Sequence, residues 1–326
     1  MTRSAARRLH DPVDGNPGAF DIVTACRKKD LFTLQIAYPR LQKYVPHRRL
    51  IIFTAPSNHK AFLNKLGSEV VILDEDQVVP HMTLGQLRSA GNLPGFPEGA
   101  GWYFQQFLKF SYPHLEPRAE RYLIWDADTI PLRPFQPFGE DGKAFLTPAL
   151  PECADPPPGM AADARTRQLL QQATRPHLAY FENYELLLGE KPEDSQSFIS
   201  QHMPIRVSCL KGMLSAIDAR HPGNDGWAWK IIRNLRGANR NLFSEYEFYA
   251  QYALRHFPEQ HVIRPLAWRR GGTLPRGGNL PNLLQAWAQD LDFIAIESWA
   301  SPWRRMLVSL YLALPGSIRA LLRKGI

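Results

Sequence analysis

Two aspartates one residue apart, Asp126 and Asp128, are the residues whose types and spacing most directly indicate chemistry. They follow the apolar run at residues 122–125, which predicts a β-strand that ends at the first aspartate. Residues i and i+2 of a strand point the same way, so both carboxylates can address one cation. Hard divalent ions such as Mg²⁺ and Mn²⁺ prefer oxygen ligands of this kind. An Asp-x-Asp pair alone is more often a solvated turn, but the preceding strand favours a metal site.

A second acidic pair, Glu245 and Glu247, lies at the start of a predicted helix over residues 246–255. Ser244 before the pair favours a capping box, in which Ser244 is the N-cap and Glu247 its partner. The alternative role is chemical, because a carboxylate in such a position can act as a general base. We expect this second role for Glu245, since the capping box explains Glu247 more directly.

Strands and helices alternate along the chain. The apolar runs at residues 20–25, 49–54 and 69–73 predict strands, as do residues 121–125. Residues 205–210 are expected to begin as a strand. Helical periodicity marks residues 31–44, with Pro39 expected to bend or interrupt them, and residues 58–66, 102–112, 168–188 and 211–220. Strand–helix–strand units of this length imply right-handed crossovers and a parallel sheet. Ligands bind beyond the carboxyl ends of the strands in such sheets, which is where residues 24–30 would lie.

The sequence around the two aspartates resembles a known enzyme family. The stretch that begins at residue 122, Tyr-Leu-Ile-Trp-Asp-Ala-Asp-Thr-Ile-Pro-Leu-Arg-Pro, is similar to the metal-binding strand of GT-A-fold glycosyltransferases, notably glycosyltransferase family eight. Upstream, Gly-Trp-Tyr-Phe-Gln-Gln-Phe-Leu-Lys at residues 101–109 resembles the segment that precedes this strand. The combination looks most like bacterial GT-A-like proteins known as a domain of unknown function and often assigned to surface-polysaccharide synthesis. The order of strands and helices predicted over residues 20–300 also resembles that of these proteins.

This resemblance carries expectations for fold, substrates and cofactor. It implies an α/β protein of GT-A (Rossmann-like) type, with a mixed sheet flanked by helices. It also implies a nucleotide-sugar donor, expected to be a UDP-sugar, and Mn²⁺ or Mg²⁺ as cofactor. The expected acceptor is a glycan or a lipid-linked sugar.

The donor side of the resemblance can be followed residue by residue. The loop at residues 24–30 matches the first-strand loop that meets the nucleotide in GT-A enzymes, although its basic residues would also suit a solvated turn. Gln105 and Lys109 are four residues apart and share one helical face, which we expect to approach the donor. Arg269 and Arg270 in Trp-Arg-Arg-Gly-Gly suit a loop that closes on a diphosphate, since Arg binds phosphate oxygens bidentately, although a surface turn would look similar. The expected donor-binding residues are Thr24, Arg27, Lys28, Asp30, Gln105, Lys109, Asp126 and Arg269.

The acceptor side matches less closely. The Glu-rich helix start resembles the acidic motif of inverting GT-A enzymes, in which a carboxylate deprotonates the acceptor, so Glu245 is the expected base and Glu247 the second candidate. Family eight is retaining, and its third metal ligand is a histidine in a His-x-x-Gly-x-x-Lys-Pro-Trp pattern that this chain lacks, which leaves retaining transfer open. His202 and His261 are candidates for that ligand. The expected metal ligands are Asp126, Asp128 and His202, and the expected acceptor-binding residues are His202, Asp225 and Trp227.

Charge and composition limit the alternatives. The chain carries 39 Lys and Arg against 31 Asp and Glu, a net charge of +8, with the basic residues clustered towards its two ends. A nucleic-acid-binding module would interleave basic and aromatic residues along one face, so no nucleic-acid partner is expected. A nucleotidyltransferase would be expected to carry a glycine-rich phosphate loop after the first strand, whereas residues 24–30 contain no glycine. Sugar transfer is therefore favoured over nucleotidyl transfer.

The sequence predicts three segments: a flexible start at residues 1–18, a single GT-A-like domain at residues 19–300, and a basic amphipathic tail at residues 301–326. Basic residues border short apolar runs in the tail, which favours an anionic membrane surface as a partner over a helical hairpin packed on the domain. Three widely spaced cysteines argue against a disulfide framework, and the start lacks a secretory signal. We therefore expect a cytoplasmic protein, peripheral to the inner face of the cytoplasmic membrane.

Overall fold

Strands and helices alternate through residues 20–90, 99–149, 177–237, 241–270, 274 and 280–296, the part of the chain that the computed structural model describes. The strands are β1 (Asp21–Ala25), β2 (Leu50–Thr54), β3 (Val71–Asp74), β4 (Arg121–Trp125), β5 (Thr129–Pro131), β6 (Ala144–Leu146), β7 (His202–Arg206), β8 (His261–Ile263), β9 (Trp268–Arg270) and β10 (Phe293–Ala295). The α-helices are α1 (Leu31–Tyr44), α2 (His59–Leu66), α3 (Leu84–Ser89), α4 (Ala100–Phe110), α5 (Tyr112–Leu115), α6 (His177–Leu188), α7 (Val207–Arg220), α8 (Trp227–Asn234), α9 (Glu245–His256) and α10 (Leu280–Trp287).

The central sheet has five strands in the order β3-β2-β1-β4-β7. Strands β3, β2, β1 and β4 run parallel, and β7 pairs with β4 in the antiparallel direction. The carboxyl ends of the four parallel strands therefore meet at one edge, together with the beginning of β7. Their nearly continuous apolar sequences fit strands that are covered by helices on both faces. The predicted α/β architecture with a mixed sheet is confirmed.

Two smaller sheets accompany the central sheet, and the first of them extends its carboxyl edge. In one, β10 lies between β5 and β9, antiparallel to β5 and parallel to β9. Because β5 begins one residue after Asp128, this pairing brings the late strand β9 close to the aspartate turn. The other small sheet pairs β6 with β8 in parallel.

Helix α4 begins beside Arg27 at the carboxyl edge of the central sheet and runs across one face of the sheet towards its amino edge. It packs against β1 and α9, and most of its residues are buried. The Tyr122 hydroxyl on β4 donates a hydrogen bond to the Lys109 carbonyl at 2.9 Å, which fixes the end of α4 over the sheet. This packing determines where the Lys109 side chain enters the core.

Several element boundaries differ from the sequence prediction. Helix α1 continues through Pro39 without interruption. Residues 205 and 206 belong to a strand, as expected, but the strand stops there, since β7 ends at Arg206 and α7 begins at Val207. The predicted helix at residues 168–188 is described only from His177 onwards, because its first residues lie outside the described part of the chain.

A buried ion cluster holds the amino-terminal edge of the sheet. Nη2 of Arg48 and Nη2 of Arg49 donate to Asp21 Oδ2 at 2.7 and 2.6 Å. The Tyr112 hydroxyl also donates to this carboxylate, and Arg49 pairs with Glu116 at 3.3 Å. Burial raises the pKa of Asp21, but the hydrogen bonds from the two arginines outweigh it, so the net pKa lies below its ordinary value. These charges stabilise the edge at which the strands begin.

The predicted terminal segments, residues 1–18 and 301–326, lie outside the described residues. Within the described residues, the structure contains no helix that combines the length and apolarity needed to cross a membrane. The amphipathic tail and its membrane partner therefore stay predictions from the sequence.

Candidate functional site

Asp126 and Asp128 lie in the turn that follows β4 at the carboxyl edge of the central sheet. Backbone hydrogen bonds fix this turn on two sides. The Asp126 N–H donates to the Gln201 carbonyl at 2.9 Å, and the Ile296 N–H donates to the Asp128 carbonyl at 2.8 Å. Both aspartates are half-buried. The pair is therefore held in place by the sheet and remains partly open to solvent.

Lys109 is the centre of a buried charge cluster beside this turn. Its Nζ donates to Asp126 Oδ1 at 2.5 Å and to Glu245 Oε1 at 2.7 Å, and its side chain is 1% exposed. Burial lowers the pKa of Lys109, but the two carboxylates raise it more, so the net pKa lies above its ordinary value. The ammonium therefore stays charged and holds carboxylates from β4 and α9 together.

Glu245 is the first residue of α9 and lies behind Lys109. Its backbone N–H donates to the Gln106 side-chain oxygen at 2.9 Å, which joins the start of α9 to α4. Burial raises the pKa of the Glu245 carboxyl, and the adjacent ammonium lowers it part of the way back. A raised pKa suits a general base, but the Glu245 side chain is only 3% exposed.

Glu247 serves a different part of the structure. Its Oε2 accepts a hydrogen bond from the Phe198 N–H at 3.1 Å, and its Oε1 accepts one from the Ser197 hydroxyl. Ser244 is the N-cap of α9, as expected, and accepts from the Glu247 N–H. The Glu247 carboxylate therefore holds the loop that leads into β7.

Glu247 should make folding stability depend on pH. Burial raises its pKa to about 7, against 4.5 for an ordinary Glu, despite the hydrogen bonds from Ser197 and Phe198. Since the folded pKa is the higher one, its stabilising contribution is complete below pH 4.5 and is lost as pH rises through 7. Relative to Glu247→Gln, the wild type should lose about 3 kcal/mol of unfolding free energy across this window. Urea denaturation of both proteins between pH 5 and 8 measures it, and parallel profiles would contradict it.

The loop after β1 reaches the same edge as the aspartates. Burial raises the pKa of the Cys26 thiol, and the charges of Asp30 and Asp128 raise it further, so this thiol lies near both carboxylates. Burial also raises the pKa of Asp30, and Lys29 and Arg27 lower it, while Asp126 acts in the same direction as burial. The structure thus brings Asp30 and the aspartate turn together.

The other predicted residues of this loop differ in exposure. Thr24 is fully buried in β1, whereas Arg27 and Lys28 are exposed. The guanidinium of Arg27 lies directly over Gly101 at the start of α4. Arg27 and Lys28 are therefore available to a ligand at the mouth of the site, and Thr24 is not.

Of two neighbouring glutamines on α4, Gln106 is the one that bonds the start of α9, although Gln105 is the one expected to face the donor. Gln105, chosen because it shares a helical face with Lys109, is half-buried. Gln106 is fully buried and binds the Glu245 N–H. Helix α4 is enclosed on most of its circumference, so the i, i+4 relation alone did not identify the residue that joins the cluster.

His202 does not join the aspartates as a metal ligand. It lies opposite Trp125 in the β4–β7 register, and its ring packs against Trp125, Phe135 and Phe293. Burial lowers its pKa to about 3, and its Nδ1 hydrogen-bonds with the Ser200 carbonyl at 3.1 Å. In the described part of the chain, no three His, Cys, Asp or Glu side chains form a group that could hold a metal ion. The expectation of His202 as the third ligand is therefore not supported, because its ring belongs to an aromatic core.

The predicted acceptor residues on α8 are engaged elsewhere. The Trp227 ring makes an edge contact with Phe107 at a centroid distance of 5.4 Å and also contacts Phe110. Asp225 forms an ion pair with Arg233. The ring contacts account for Trp227 as part of the packing of α8 on α4, whereas Asp225 pairs within its own segment. Both arrangements fit the structural alternative for this segment.

Arg270 is the second arginine of the pair that the sequence predicts to meet a diphosphate, and it points to the loop before β7. Its Nη2 donates to the Ile199 carbonyl at 3.1 Å, in the loop before β7. Arg269, the expected donor residue, has Nη1 at 3.5 Å from the Trp268 carbonyl. Successive residues of a strand face opposite sides, so only the position of β9 in the small sheet shows which arginine points to the loop.

The chain belongs to the Family of unknown function (DUF6492), whose description matches residues 24–267, and the predicted membership of a family without an assigned function is confirmed. Among solved structures, it is similar to mouse xyloside xylosyltransferase 1 in its apo form, with 10% identity, a TM-score of 0.41, and coverage of 86% of this chain and 98% of that one. It is also similar to the galactosyltransferase LgtC in complex with donor and acceptor sugar analogues, with 12% identity, a TM-score of 0.40, and coverage of 92% and 99%.

A third similar structure is the apo WbbM bifunctional glycosyltransferase, with 11% identity and a TM-score of 0.43. The match covers 94% of this chain and 51% of WbbM, so the chain spans about half the length of that protein. No curated protein matches the chain in sequence. At such low identities and TM-scores, the activity of this chain has to follow from its own residues.

Proposed function

We propose that this member of the Family of unknown function (DUF6492) is a metal-dependent glycosyltransferase that moves a sugar from a nucleotide-sugar donor, expected to be a UDP-sugar, to a glycan or lipid-linked acceptor. The observation that carries the proposal is the cluster of Asp126, Lys109 and Glu245 beside Asp128, at the edge where β1 and β4 end. Nucleotides bind at this edge in parallel α/β sheets. The sequence resemblance supports a place in bacterial surface-polysaccharide synthesis.

The charges of the cluster support a divalent cation. Asp126 and Glu245 already share the single positive charge of Lys109, and Asp128 adds a negative charge in the same turn. Mn²⁺ or Mg²⁺ takes carboxylate oxygens as ligands, and a turn that carries two aspartates at this edge suits such an ion. Since no third acidic or imidazole ligand is grouped with the pair among the described residues, donor phosphate oxygens and water would complete the shell. When bound, the cation neutralises charge on the leaving nucleoside diphosphate.

Lys109 and the first loop would organise the donor around this turn. The Lys109 ammonium fixes one oxygen of Asp126 and thereby the orientation of that carboxylate. Asp30 lies close enough to Asp126 to respond to its charge and is half-buried, which suits a hydrogen bond to a hydroxyl or base of the nucleotide. Arg27 and Lys28 are exposed beside it and suit phosphate. The donor would therefore lie across the ends of β1 and β4.

The stereochemistry of transfer depends on Glu245. We propose that it is the general base of an inverting reaction, because burial raises its pKa and it lies next to Asp126 through Lys109. Its burial limits this role, since an acceptor hydroxyl reaches it only if substrate binding opens the cluster. Retaining transfer needs no such base and is the second candidate, favoured by the contacts that engage Glu245 and Glu247 within the protein.

A hydrolysis screen with nucleotide sugars tests the proposal. Purified protein with Mn²⁺ should release a nucleoside diphosphate from at least one donor. Asp128→Ala should lower this release about 100-fold or more, because metal neutralisation of the leaving group contributes several kcal/mol. Asp141→Ala is the matched control, since Asp141 is exposed and pairs with Lys143. Equal release by wild type and Asp128→Ala, or no release from any donor, would sink the assignment.

The same screen separates the alternative enzyme class. A glycosyltransferase releases a nucleoside diphosphate, whereas a nucleotidyltransferase acting on sugar phosphates releases pyrophosphate from a nucleoside triphosphate. Pyrophosphate release that depends on Asp128 would favour a nucleotidyltransferase.

The proposed location at the inner face of the cytoplasmic membrane depends on residues 301–326 alone. Comparing vesicle binding of the full chain with that of a chain ending at residue 300 tests this location only.

A further inference from the structure

Gln201 occupies an unusual backbone conformation next to the aspartate turn. It precedes β7 with a φ of +68°, in the left-handed region that residues other than glycine seldom adopt. It is buried, and its carbonyl accepts the hydrogen bond from the Asp126 N–H at 2.9 Å. Such conformations persist where the surrounding structure determines them and concentrate at functional sites. The backbone hydrogen bond between Asp126 and Gln201 therefore also fixes where the Gln201 side chain begins.

The Gln201 amide forms a bridge between two charged side chains. Its nitrogen donates to Asp126 Oδ2 at 3.2 Å, and its oxygen accepts from Arg270 Nη2 at 2.7 Å. The chemistry of the neighbours fixes this orientation, because the reverse would turn the amide oxygen towards a carboxylate and the NH₂ group towards a guanidinium. One oxygen of Asp126 is thus held by Lys109 and the other by Gln201.

Arg270 is held on the same side as the buried carboxylates. Beyond Gln201, it donates to the Ile199 carbonyl at 3.1 Å, and its guanidinium carbon lies 5.5 Å from the Trp268 ring centroid. Tyr180 lies near this group of charges. Burial raises the pKa of its hydroxyl, the charges of Glu247 and Glu245 raise this pKa further, and the charge of Arg270 lowers it. A half-buried arginine in this fixed position places a positive charge that suits the phosphate oxygens of a ligand.

We propose that Gln201 is a positioning residue that fixes Arg270 beside Asp126, so that Arg270 binds the diphosphate of the donor next to the Asp126–Asp128 turn. This inference rests on the proposed function, since it needs a nucleoside diphosphate at that edge. Of the two arginines expected to meet the diphosphate, it assigns this role to Arg270 and not to Arg269. It also gives Asp126 a second role, because this carboxylate binds the Gln201 amide in addition to the Lys109 ammonium.

Calorimetric titration of nucleoside diphosphates tests the assignment without relying on turnover. UDP, GDP, ADP, CDP and dTDP are titrated separately into the full-length wild type with Mn²⁺ and again with a chelator, and the tightest binder is taken to the variants. Arg270→Gln should weaken its binding about tenfold through loss of charge-assisted hydrogen bonds. Gln201→Asn should weaken it to a similar extent. Asn suits the left-handed backbone but is one methylene too short to span the bridge.

The double variant identifies the route of the effect. If Gln201 acts through Arg270, Gln201→Asn combined with Arg270→Gln should bind no more weakly than Arg270→Gln alone. Arg118→Gln, at an exposed turn, is the matched charge-removal control and should bind as the wild type does. Arg270→Lys keeps the charge, so its affinity for the nucleoside diphosphate should lie between those of the wild type and Arg270→Gln. Thermal melting checks that each variant is folded.

The outcomes separate this inference from the function on which it rests. If the wild type binds none of the five nucleoside diphosphates, the proposed function fails and the inference with it. If the wild type binds one of them and folded Gln201→Asn binds it equally well, the inference alone is overturned. Additive losses in the double variant would likewise overturn it, because they would show that Gln201 acts without Arg270.

Discussion

Lys109→Met is expected to lower the free energy of unfolding by about 3–5 kcal/mol, as is typical when one partner of a buried ion pair is removed. Methionine retains most of the aliphatic volume, so the loss would come mainly from charge. Asp126 and Glu245 would then lie together without the ammonium that they share. Urea denaturation at constant pH measures the change.

The pH dependence and a double variant identify the cause of this loss. Without Lys109, the folded-state pKa of Glu245 should rise further above its unfolded value, so the destabilisation should be smallest near pH 4.5 and grow as pH rises. Lys109→Met combined with Glu245→Gln should recover part of the stability, because one uncompensated charge is gone. Lys143→Met, which breaks an exposed pair with Asp141, should cost about 1 kcal/mol or less. A Lys109→Met protein as stable as this control would contradict the role of the cluster.

Glu245→Gln should reduce sugar transfer by about 100- to 10,000-fold, the usual contribution of a general base. Nucleoside diphosphate affinity should change little, since the amide oxygen of Gln can still accept the hydrogen bond from Lys109. The wild-type rate should fall as pH drops below the pKa of Glu245, because the base must be ionised, and the variant should lose this acidic limb. Steady-state kinetics with pH profiles, together with calorimetric titration of the nucleoside diphosphate, check these expectations.

Glu182→Gln is the matched control for that experiment, because Glu182 lies exposed on α6. Unchanged turnover in Glu245→Gln would remove the residue as the base and favour retaining transfer. A parallel fall of turnover and nucleotide affinity would assign Glu245 to holding Lys109 and not to proton transfer. The ratio of the two effects thus decides between chemistry and positioning.

The fold could largely be predicted from the sequence because its strands are short apolar runs separated by amphipathic helices. β1, β2 and β4 carry that pattern within a few residues of the observed bounds. The beginning of α7 could not be predicted, since Val207 is as suitable for a strand as for a helix and only its packing determines the outcome. Helix α1 continues through Pro39 because the apolar positions around it are buried against the sheet.

The candidate site was predictable where residues are close in sequence. Asp126 and Asp128 carry their own evidence, since the strand before them fixes their direction. Lys109 was predicted to face the donor, but its ion pair with Glu245 joins residues 136 positions apart, and no local pattern encodes it. Gln201 was missed for the same reason, and its left-handed backbone follows from the turn before β7 rather than from its residue type.

His202 shows how a residue type can mislead without its partners. Histidine near a carboxylate turn suggests a ligand, but register decides the face to which the ring points. Pairing with Trp125 sends the ring into an aromatic cluster, and burial keeps the imidazole neutral by lowering its pKa to about 3. The signal that would have found this is the run of large rings on the neighbouring strands.

The antiparallel direction of β7 has a consequence for how such a protein can diversify. A parallel neighbour of β4 would present its last residue at this edge, whereas β7 presents its first, so Gln201 is supplied by an incoming loop. Insertions and deletions in that incoming loop leave the β4–β7 register intact. The residues that lie beside the charged turn can therefore change with that loop, while the direction of the turn is set by β4.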